Sequence, residues 1–319
     1  MSATTRFAQI EPTTRCNFTC GFCAGRSMRQ GDLAWEAFER FLELNPNVQH
    51  VELQGEGEPI LHPRFFDLVA ACRARGAAVS LITNGSLLAR AADRLIDAGV
   101  ASVHVSLESA DPAEFERIRG GSFSKVVAGL RALMQRRDDR GSERPRVGLC
   151  VTILRRTLDA IHEIVQLYEH LALDGGISVQ LLQDMECYAE HYDDAMRAEL
   201  VPAVVWRDYR WVVEAARARA FVGEQATSYY GALFEGFDPA AGTCPWLEAG
   251  AYLSFEGSIT GCCYMKNPEH AFGDVRESAP EAIERERQTL AATLASGVIP
   301  QPCSGCGVAN AVVRAKRAR

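Results

Sequence analysis

The stretch that decides the fold is RCNFTCGFC, residues 15–23. It places Cys16, Cys20 and Cys23 within eight residues, directly after the short apolar run Phe7–Ile10. Three soft thiolate ligands on one tight loop suit an iron–sulfur cluster. A structural zinc site closes with a fourth ligand nearby, and none follows here at zinc-ribbon spacing. The loop therefore predicts a cluster that keeps one iron open to another ligand.

Short apolar strands alternate with amphipathic helical patterns up to about residue 185. Helices are predicted, for example, over Leu33–Leu44, Phe65–Arg75 and Leu87–Ala98. Such βα units in series predict parallel strands with right-handed crossovers and helices outside. Six strands fit an open α/β barrel, whose chemistry lies on loops after the strand C-termini. The six predicted strands are Phe7–Ile10, Val48–Leu53, Ala78–Ile82, Ser102–Leu107, Val147–Ile153 and Ile177–Leu182.

Residues 240–319 differ from the rest in being rich in cysteine and glycine. A hairpin pattern over Tyr252–Cys263 turns at Glu256-Gly257, and a helix follows around Glu281–Ala295. A region of this size buries little core without a metal site. The predicted domains are a barrel over residues 1–190, a helical linker over 191–239 and a small Cys-rich domain over 240–319. A long helix from about Asp193 to Phe221 is predicted to fill much of the linker.

Length and composition indicate a soluble globular enzyme. The chain has 319 residues, of which 47% are hydrophobic and 24% charged, as is ordinary for this class. A net charge of −7 argues against nucleic-acid binding, and no stretch reads as a signal peptide or a membrane span. Without an export signal, eleven cysteines are better explained by metal binding than by disulfides. We therefore expect a cytoplasmic protein with a small-molecule substrate and neither a nucleic-acid nor a membrane partner.

The cysteine loop, with the aromatic Phe22 before its last cysteine, resembles the signature of the radical S-adenosylmethionine (SAM) superfamily. The segment Gln54–Ile60, QGEGEPI, resembles the superfamily's glycine–glycine–glutamate motif, in which the acid contacts the amino group of SAM. Gly57 and Glu58 match the second glycine and the glutamate of this motif, whereas Glu56 occupies the position of the first glycine. Without the cysteine loop, the segment would be interpreted as a polar turn. The resemblance implies a partial (βα)6 barrel that binds SAM and a [4Fe–4S] cluster through the three cysteines.

The resemblance implies further SAM contacts at the ends of the third to fifth strands. Asn84 follows the third strand, and Ser106 and Glu108 follow the fourth, with polar side chains toward the ribose and the methionyl carboxylate. Arg119 resembles a recurrent basic position that faces this carboxylate, although a helix-end arginine is equally consistent with a solvated side chain. Val151 on the fifth strand would pack on adenine, although a buried strand valine is usually core.

The C-terminal cysteines resemble the twitch subtype of the SPASM/twitch auxiliary-cluster domain. Cys244 is followed after twelve residues by Gly257, after four more by Cys262, and later by Cys303 and Cys306. Four cysteines can ligate a [4Fe–4S] cluster completely, and a zinc site with the same thiolates is the alternative from ligand type alone. The resemblance favours a second iron–sulfur cluster.

The resemblance also implies a reaction. The first cluster binds SAM and receives one electron from a reductant such as flavodoxin or ferredoxin, and a 5′-deoxyadenosyl radical then abstracts hydrogen from an unactivated carbon. The spacing is most similar to dehydrogenases of aminocyclitols and amino sugars, so oxidation of a secondary alcohol to a ketone is the leading expectation. The second cluster would accept the electron. Candidate proton acceptors near the ends of strands five and six are Arg155, Arg156, Asp184 and Glu186.

Cys263 leaves a second outcome open. It adjoins Cys262 on a predicted strand, so the two side chains should point to opposite faces. It is either a small buried hydrophobe or a thiol that hands a hydrogen atom to the substrate radical, as in an epimerase. Peptide maturation is a third function, made less favourable by the lack of an obvious leader-peptide module. A non-catalytic iron–sulfur or zinc protein is a fourth, but an electron carrier needs no Glu58 or Ser106.

Overall fold

Nine strands form one mixed sheet in the computed structural model, which describes residues 5–210, 233–234 and 236–318, apart from the side chains of residues 186 and 187. The strands are β1 Phe7–Ile10, β2 His50–Leu53, β3 Ala78–Thr83, β4 Ser102–Ser106, β5 Arg146–Ile153, β6 Ile177–Leu181, β7 Gly250–Leu253, β8 Ser258–Thr260 and β9 Gly273–Asp274. Their order is β6-β5-β4-β3-β2-β1-β7-β8-β9. The first six strands are parallel throughout, which confirms the prediction for this part of the chain.

Helices connect the parallel strands and cover one face of the sheet. In α1, Phe38, Phe41 and Leu42 recur at helical spacing and are buried, because this stripe packs against the sheet. The βα series forms the partial (βα)6 barrel that the alternating pattern predicts. The helices of this part are α1 Trp35–Leu44, α2 Phe65–Ala74, α3 Leu88–Asp97, α4 Pro112–Arg119, α5 Phe123–Asp139 and α6 Ile161–His170.

The two faces of the sheet differ in polarity. Ala8 and Ile10 of β1 belong to a continuous apolar core with the helices. Between them, Gln9 projects to the other face, since side chains alternate along a strand. In register beside it lie Glu52 of β2 and Ser80 of β3, and all three are buried. The inside of the barrel is therefore polar at this level.

Glu52 makes the stability of the fold depend on pH. Its Oε1 has no hydrogen-bond partner among the described residues, and burial raises its pKa to about 8. The native state thus keeps a proton that the unfolded chain releases, so the free energy of unfolding should fall as pH rises from about 5 to about 8, by at most roughly 1.4 kcal/mol per pH unit. Glu52→Gln should remove this component. Urea unfolding of both proteins at pH 5, 6.5 and 8 tests it, and equal slopes with pH would contradict it.

The C-terminal strands continue the barrel sheet. β7 lies parallel beside β1, and β8 and β9 follow in antiparallel pairing. Residues 240–319 also form an apolar cluster largely of their own around Leu247, Phe272 and Val312, whereas Trp246, Tyr252 and Cys263 pack with Phe7 of β1. The division at residue 240 stays a prediction, but its two sides share one sheet.

The predicted hairpin is shorter in the structure. β8 ends at Thr260, and Gly261–Tyr264 form a bend and a turn. The Thr260 hydroxyl donates to the carbonyl oxygen of Cys262 at 2.9 Å, and the Met265 N–H donates to the same oxygen. The expectation that Cys262 and Cys263 alternate across a strand is therefore wrong, because turn geometry sets their directions.

The predicted linker helix is interrupted. One turn spans Asp194–Arg197, and helical structure resumes only over 203–210. Pro202, which lacks an N–H, separates the two pieces and cannot continue a helix from the preceding turn. Residues 211–221 of this prediction lie outside the described residues. The helix predicted at Glu281–Ala295 is confirmed as Pro280–Ala295, and none of the helices in the described ranges is long and apolar enough to cross a membrane.

Candidate active site

Cys16, Cys20 and Cys23 lie on the loop after β1, at the carboxyl edge of the parallel strands. All three line one cavity of about 180 Å³, here called the cysteine cavity. Burial raises the pKa of each thiol, for Cys20 to about 11. Thiols in this setting become thiolates when a metal replaces the proton.

Gly57, in the loop after β2, packs directly against the cysteine loop. A Cβ at this position would lie 2.3 Å from the carbonyl oxygen of Thr13 and 2.6 Å from that of Arg15. The neighbouring Glu58 N–H donates to the Arg15 carbonyl at 2.9 Å. Only glycine permits this close approach of two backbones, which explains the residue type that the motif requires.

Glu58 is fixed between the ends of β2 and β3. Its carboxylate, 1% exposed, accepts hydrogen bonds from the Thr83 hydroxyl at 2.8 Å and the Asn84 N–H at 2.7 Å. Burial raises its pKa, and these hydrogen bonds oppose that effect. The Asn84 side chain donates to Asn17 at 2.9 Å and lies 3.6 Å from the Cys16 sulfur. Glu58 thus brings a carboxylate to the cavity beside Cys16, suited to an ammonium group, while Asn84 presents its amide N–H groups there.

Arg119, the last residue of α4, supplies a fixed cation on the same cavity. Its guanidinium makes a two-pronged ion pair with Glu108, with Nη2 2.6 Å from Oε1, and the two side chains are 7% and 1% exposed. Burial alone would lower the pKa of Arg119, but the Glu108 carboxylate raises it. Nη1 lies 3.8 Å from the Cys20 sulfur, and the guanidinium carbon lies 5.7 Å from the Phe22 ring centre. Because Nε and Nη2 are paired with Glu108, Nη1 is the part of the guanidinium that can donate a hydrogen bond to a carboxylate in the cavity.

Successive side chains of β5 point alternately into the cysteine cavity and into the apolar core. Cys150 and Thr152 line the cysteine cavity, whereas Val151 lies in the apolar core. Val151 and the cavity are on opposite faces of the strand. Cys263, 7% exposed, lines the cavity from the C-terminal region.

A second cavity of about 370 Å³, here called the large cavity, lies next to the first. Tyr264 and Lys266 line both. Ala24 contributes from the cysteine loop, while Gln301 and Ser304 contribute from beside Cys303. The large cavity therefore lies between the two groups of cysteines. Its other lining residues are Met28, Met185, Glu190, His191, Asn267, Pro268, His270 and Pro302.

The four C-terminal cysteines lie near one another. Burial raises the pKa of Cys244, Cys262 and Cys303, for Cys303 to about 12, and the charges of neighbouring cysteines raise them further. Cys262 is affected by Cys244 and Cys303, and Cys303 by Cys306 and Cys244. Within the described residues, no three Cys, His, Asp or Glu side chains converge on one metal ion. In a cubane cluster each thiolate binds a different iron, so its ligands stand further apart.

Residues 10–168 match the sequence model of the radical SAM superfamily. The chain belongs to this superfamily. The matched segment contains the three cysteines of the loop after β1, Gly57 and Glu58, and Arg119. The superfamily implies SAM and a [4Fe–4S] cluster.

Curated relatives match part of the chain. It is 28% identical over 184 residues to the tungsten-containing aldehyde ferredoxin oxidoreductase cofactor-modifying protein of Pyrococcus furiosus, which covers 56% of this chain and 52% of the relative. It is 36% identical over 138 residues to GTP 3′,8-cyclase of Rhodopseudomonas palustris, covering 40% of each. This chain thus spans about half, or less, of the length of the relatives it matches.

Solved radical SAM structures share the fold over nearly the whole chain. SuiB of Streptococcus suis bound to S-adenosylmethionine has a TM-score of 0.69 at 16% identity, and the match covers 96% of this chain and 72% of SuiB. The protein anSMEcpe with bound AdoMet has a TM-score of 0.70 at 16% identity, covering 94% and 86%. At this identity the likeness establishes the fold, and the Cys-rich C-terminal region is consistent with a SPASM/twitch domain.

The residues present fit the groups that radical SAM proteins use. Three thiols share one wall of the cysteine cavity, while Glu58 and the cation of Arg119 suit the amino and carboxylate ends of an amino acid such as the methionyl part of SAM. The mutually close cysteines 244, 262, 303 and 306 have the donor set of a fully ligated cluster.

Most predicted site residues come together, and some do not. Arg155 and Asp184 are exposed and lie outside both cavities, and the Arg156 guanidinium pairs with Glu199 instead. The side chain of Glu186 lies outside the described part of the structure. Glu108 lies behind Arg119 rather than on the wall of the cysteine cavity. The predicted residues that line this cavity together are Cys16, Cys20, Phe22, Cys23, Gly57, Glu58, Asn84, Ser106, Arg119 and Cys263.

Sequence reasoning missed Lys266, which lines both cavities. It is one of three lysines in the chain, and this rarity was the one available signal. It also missed Tyr188 and Tyr264, whose rings contact each other edge to face with centres 6.0 Å apart. All three depend on contacts between segments that are distant along the chain.

Proposed function

We propose that this radical SAM protein oxidises a secondary alcohol of an aminocyclitol, amino sugar or aminoglycoside to a ketone. In this proposal Cys16, Cys20 and Cys23 hold the cluster that binds SAM, and the four C-terminal cysteines hold a second cluster. When bound, SAM and these clusters would supply a hydrogen-abstracting radical and an acceptor for the remaining electron, and the hydroxyl proton would pass to a side chain of the large cavity such as Glu190 or His191. A one-electron reductant such as flavodoxin or ferredoxin would serve the first cluster.

The observation that carries the proposal is the position of the large cavity. One side is formed by Ala24, next to Cys23, and the other by Ser304, next to Cys303. A volume of about 370 Å³ suits a small ligand. His191, Asn267 and His270 offer hydrogen bonds to hydroxyl and amino groups. A substrate held here lies between the proposed radical source and the proposed electron acceptor.

The test is anaerobic incubation with SAM, dithionite and a panel of aminocyclitols and amino sugars, followed by mass spectrometry. We expect 5′-deoxyadenosine together with a product two hydrogens lighter than its substrate. Cys303→Ala/Cys306→Ala should still form 5′-deoxyadenosine but little ketone, because the electron acceptor is lost. Substrate turnover without loss of two hydrogens would contradict the oxidation.

A second candidate function is epimerisation, which the position of Cys263 on the wall of the cysteine cavity favours. If Cys263 donates a hydrogen atom, turnover in D₂O should place one deuterium at an inverted carbon. Cys263→Ala should then cleave SAM without giving the inverted product. Under the oxidation proposal, the same variant should form ketone at a rate close to that of the wild type.

A peptide substrate is a third possibility. Among the proteins with this fold, SuiB has been solved with its precursor peptide SuiA, and anSMEcpe with the Cp18Cys peptide. Failure of every small polar molecule, with SAM cleavage intact, would move the search to peptides.

A further inference from the structure

Glu56 and Lys266 form a buried ion pair between the two cavities. The Lys266 ammonium lies 3.1 Å from Oε1 of Glu56, and the two side chains are 9% and 11% exposed. Lys266 also donates to the Tyr252 hydroxyl at 3.0 Å, and the Tyr188 hydroxyl donates to Oε1 of Glu56 at 3.2 Å. The pair joins the loop after β2 to the segment after β8.

Glu56 is also in contact with the cysteine loop. The Cys23 sulfur lies 3.4 Å from the Glu56 carbonyl oxygen and 3.5 Å from Oε2. A Cβ at Gly25 would lie 2.6 Å from the Cβ of Glu56, so the loop packs tightly around this side chain. The negative charge of Glu56 is therefore fixed beside one of the three proposed cluster ligands.

A fixed negative charge opposes the arrival of an electron nearby. The effect is large in a buried site, because two unit charges interact more strongly where water is excluded. Lys266 supplies the compensating positive charge at hydrogen-bond distance. With the pair intact, the cysteine loop experiences little net charge from it. With the lysine neutralised, it experiences a whole carboxylate.

We propose that Lys266 sets the reduction potential of the cluster at Cys16, Cys20 and Cys23 by neutralising Glu56. The proposal rests on the cluster assignment of the proposed function and is independent of the substrate. It gives the C-terminal region a direct electrostatic influence on the N-terminal site. It also accounts for a carboxylate at position 56, where the superfamily motif usually has glycine.

The test is a potentiometric titration of the reconstituted full-length protein, followed by EPR. The signal that changes on addition of SAM identifies the relevant cluster. Lys266→Met should shift its midpoint potential to more negative values, and Glu56→Gln should shift it to more positive values. The double variant should return close to the wild type, since both partners are then uncharged. Lys266→Arg, which keeps the charge, should stay near the wild type.

The controls distinguish a failure of the Lys266–Glu56 inference from a failure of the cluster assignment. Lys316→Met removes an exposed lysine and should leave the potential unchanged. Lys266→Met leaves Glu56 buried without its partner and is the variant at risk of misfolding, so the positive shift of Glu56→Gln and its reversal in the double variant provide the comparison that does not depend on it. Equal potentials for wild type, Glu56→Gln and the double variant would overturn the inference. Absence of any SAM-responsive signal in the wild type would instead overturn the cluster assignment.

Discussion

Replacing Cys16, Cys20 and Cys23 together by alanine should lower the iron content from about eight to about four atoms per chain and abolish SAM cleavage. The three thiols share one wall of the cysteine cavity and, in our proposal, are the whole protein ligand set of the SAM-binding cluster. The remaining iron would belong to the cluster at cysteines 244, 262, 303 and 306. Iron and sulfide analysis with Mössbauer spectra, after anaerobic reconstitution, measures both numbers.

The control for this experiment is Cys72→Ala. Cys72 is fully buried in α2, outside either cysteine group, so its loss should leave the iron content unchanged. About four irons in the wild type and none in the triple variant would make the C-terminal cysteines a zinc or thiol site. The electron acceptor for alcohol oxidation would then be missing, and a redox-neutral reaction would be the better proposal. An unchanged iron content in the triple variant would contradict the assignment of the loop.

Arg119→Met should have the largest effect on stability, lowering the free energy of unfolding by about 3–5 kcal/mol. The substitution leaves the Glu108 carboxylate, 1% exposed, without its partner in the interior. Removing both charges in Arg119→Met/Glu108→Leu should recover most of the loss, because no uncompensated charge then remains buried. Urea unfolding of the cluster-free chain measures the change.

A surface pair gives the matched control for Arg119. Arg40 and Glu43 lie three residues apart on α1, with side chains 44% and 55% exposed, so Arg40→Met should cost less than about 1 kcal/mol. The double variant at 119 and 108 should still bind SAM more weakly than the wild type, since the cation on the cavity wall is lost. If Arg119→Met is no more destabilising than Arg40→Met, the pair does not stabilise the fold as proposed.

The barrel was predictable because its signals are local. Alternation of apolar runs and helical patterns located all six parallel strands to within two residues at either end. The loop RCNFTCGFC and the motif around Gly57 can each be recognised from a few consecutive residues. The superfamily model matches residues 10–168, within this same part of the chain.

The predictions that were wrong or incomplete concern residues whose positions depend on contacts between distant segments of the chain. Either Val151 or Cys150 could line the cavity, and the sequence does not show which of the two faces of β5 is turned toward it. Cys262 and Cys263 were placed on a strand because the sequence did not show that pairing stops at Thr260. The role proposed for Lys266 depends on its ion pair with Glu56. The two residues follow different strands, so the sequence does not show that they meet. Long-range packing decides each of these.

The parallel pairing of β7 with β1 has a consequence for how the protein is made. β1 leaves the ribosome well before one of its two neighbours, Gly250–Leu253, because the other barrel strands are synthesised between them. Until then β1 exposes an open edge that invites pairing with other chains. We expect nascent chains stalled before residue 250 to need chaperones, and chains that extend well beyond Leu253 to lose that dependence.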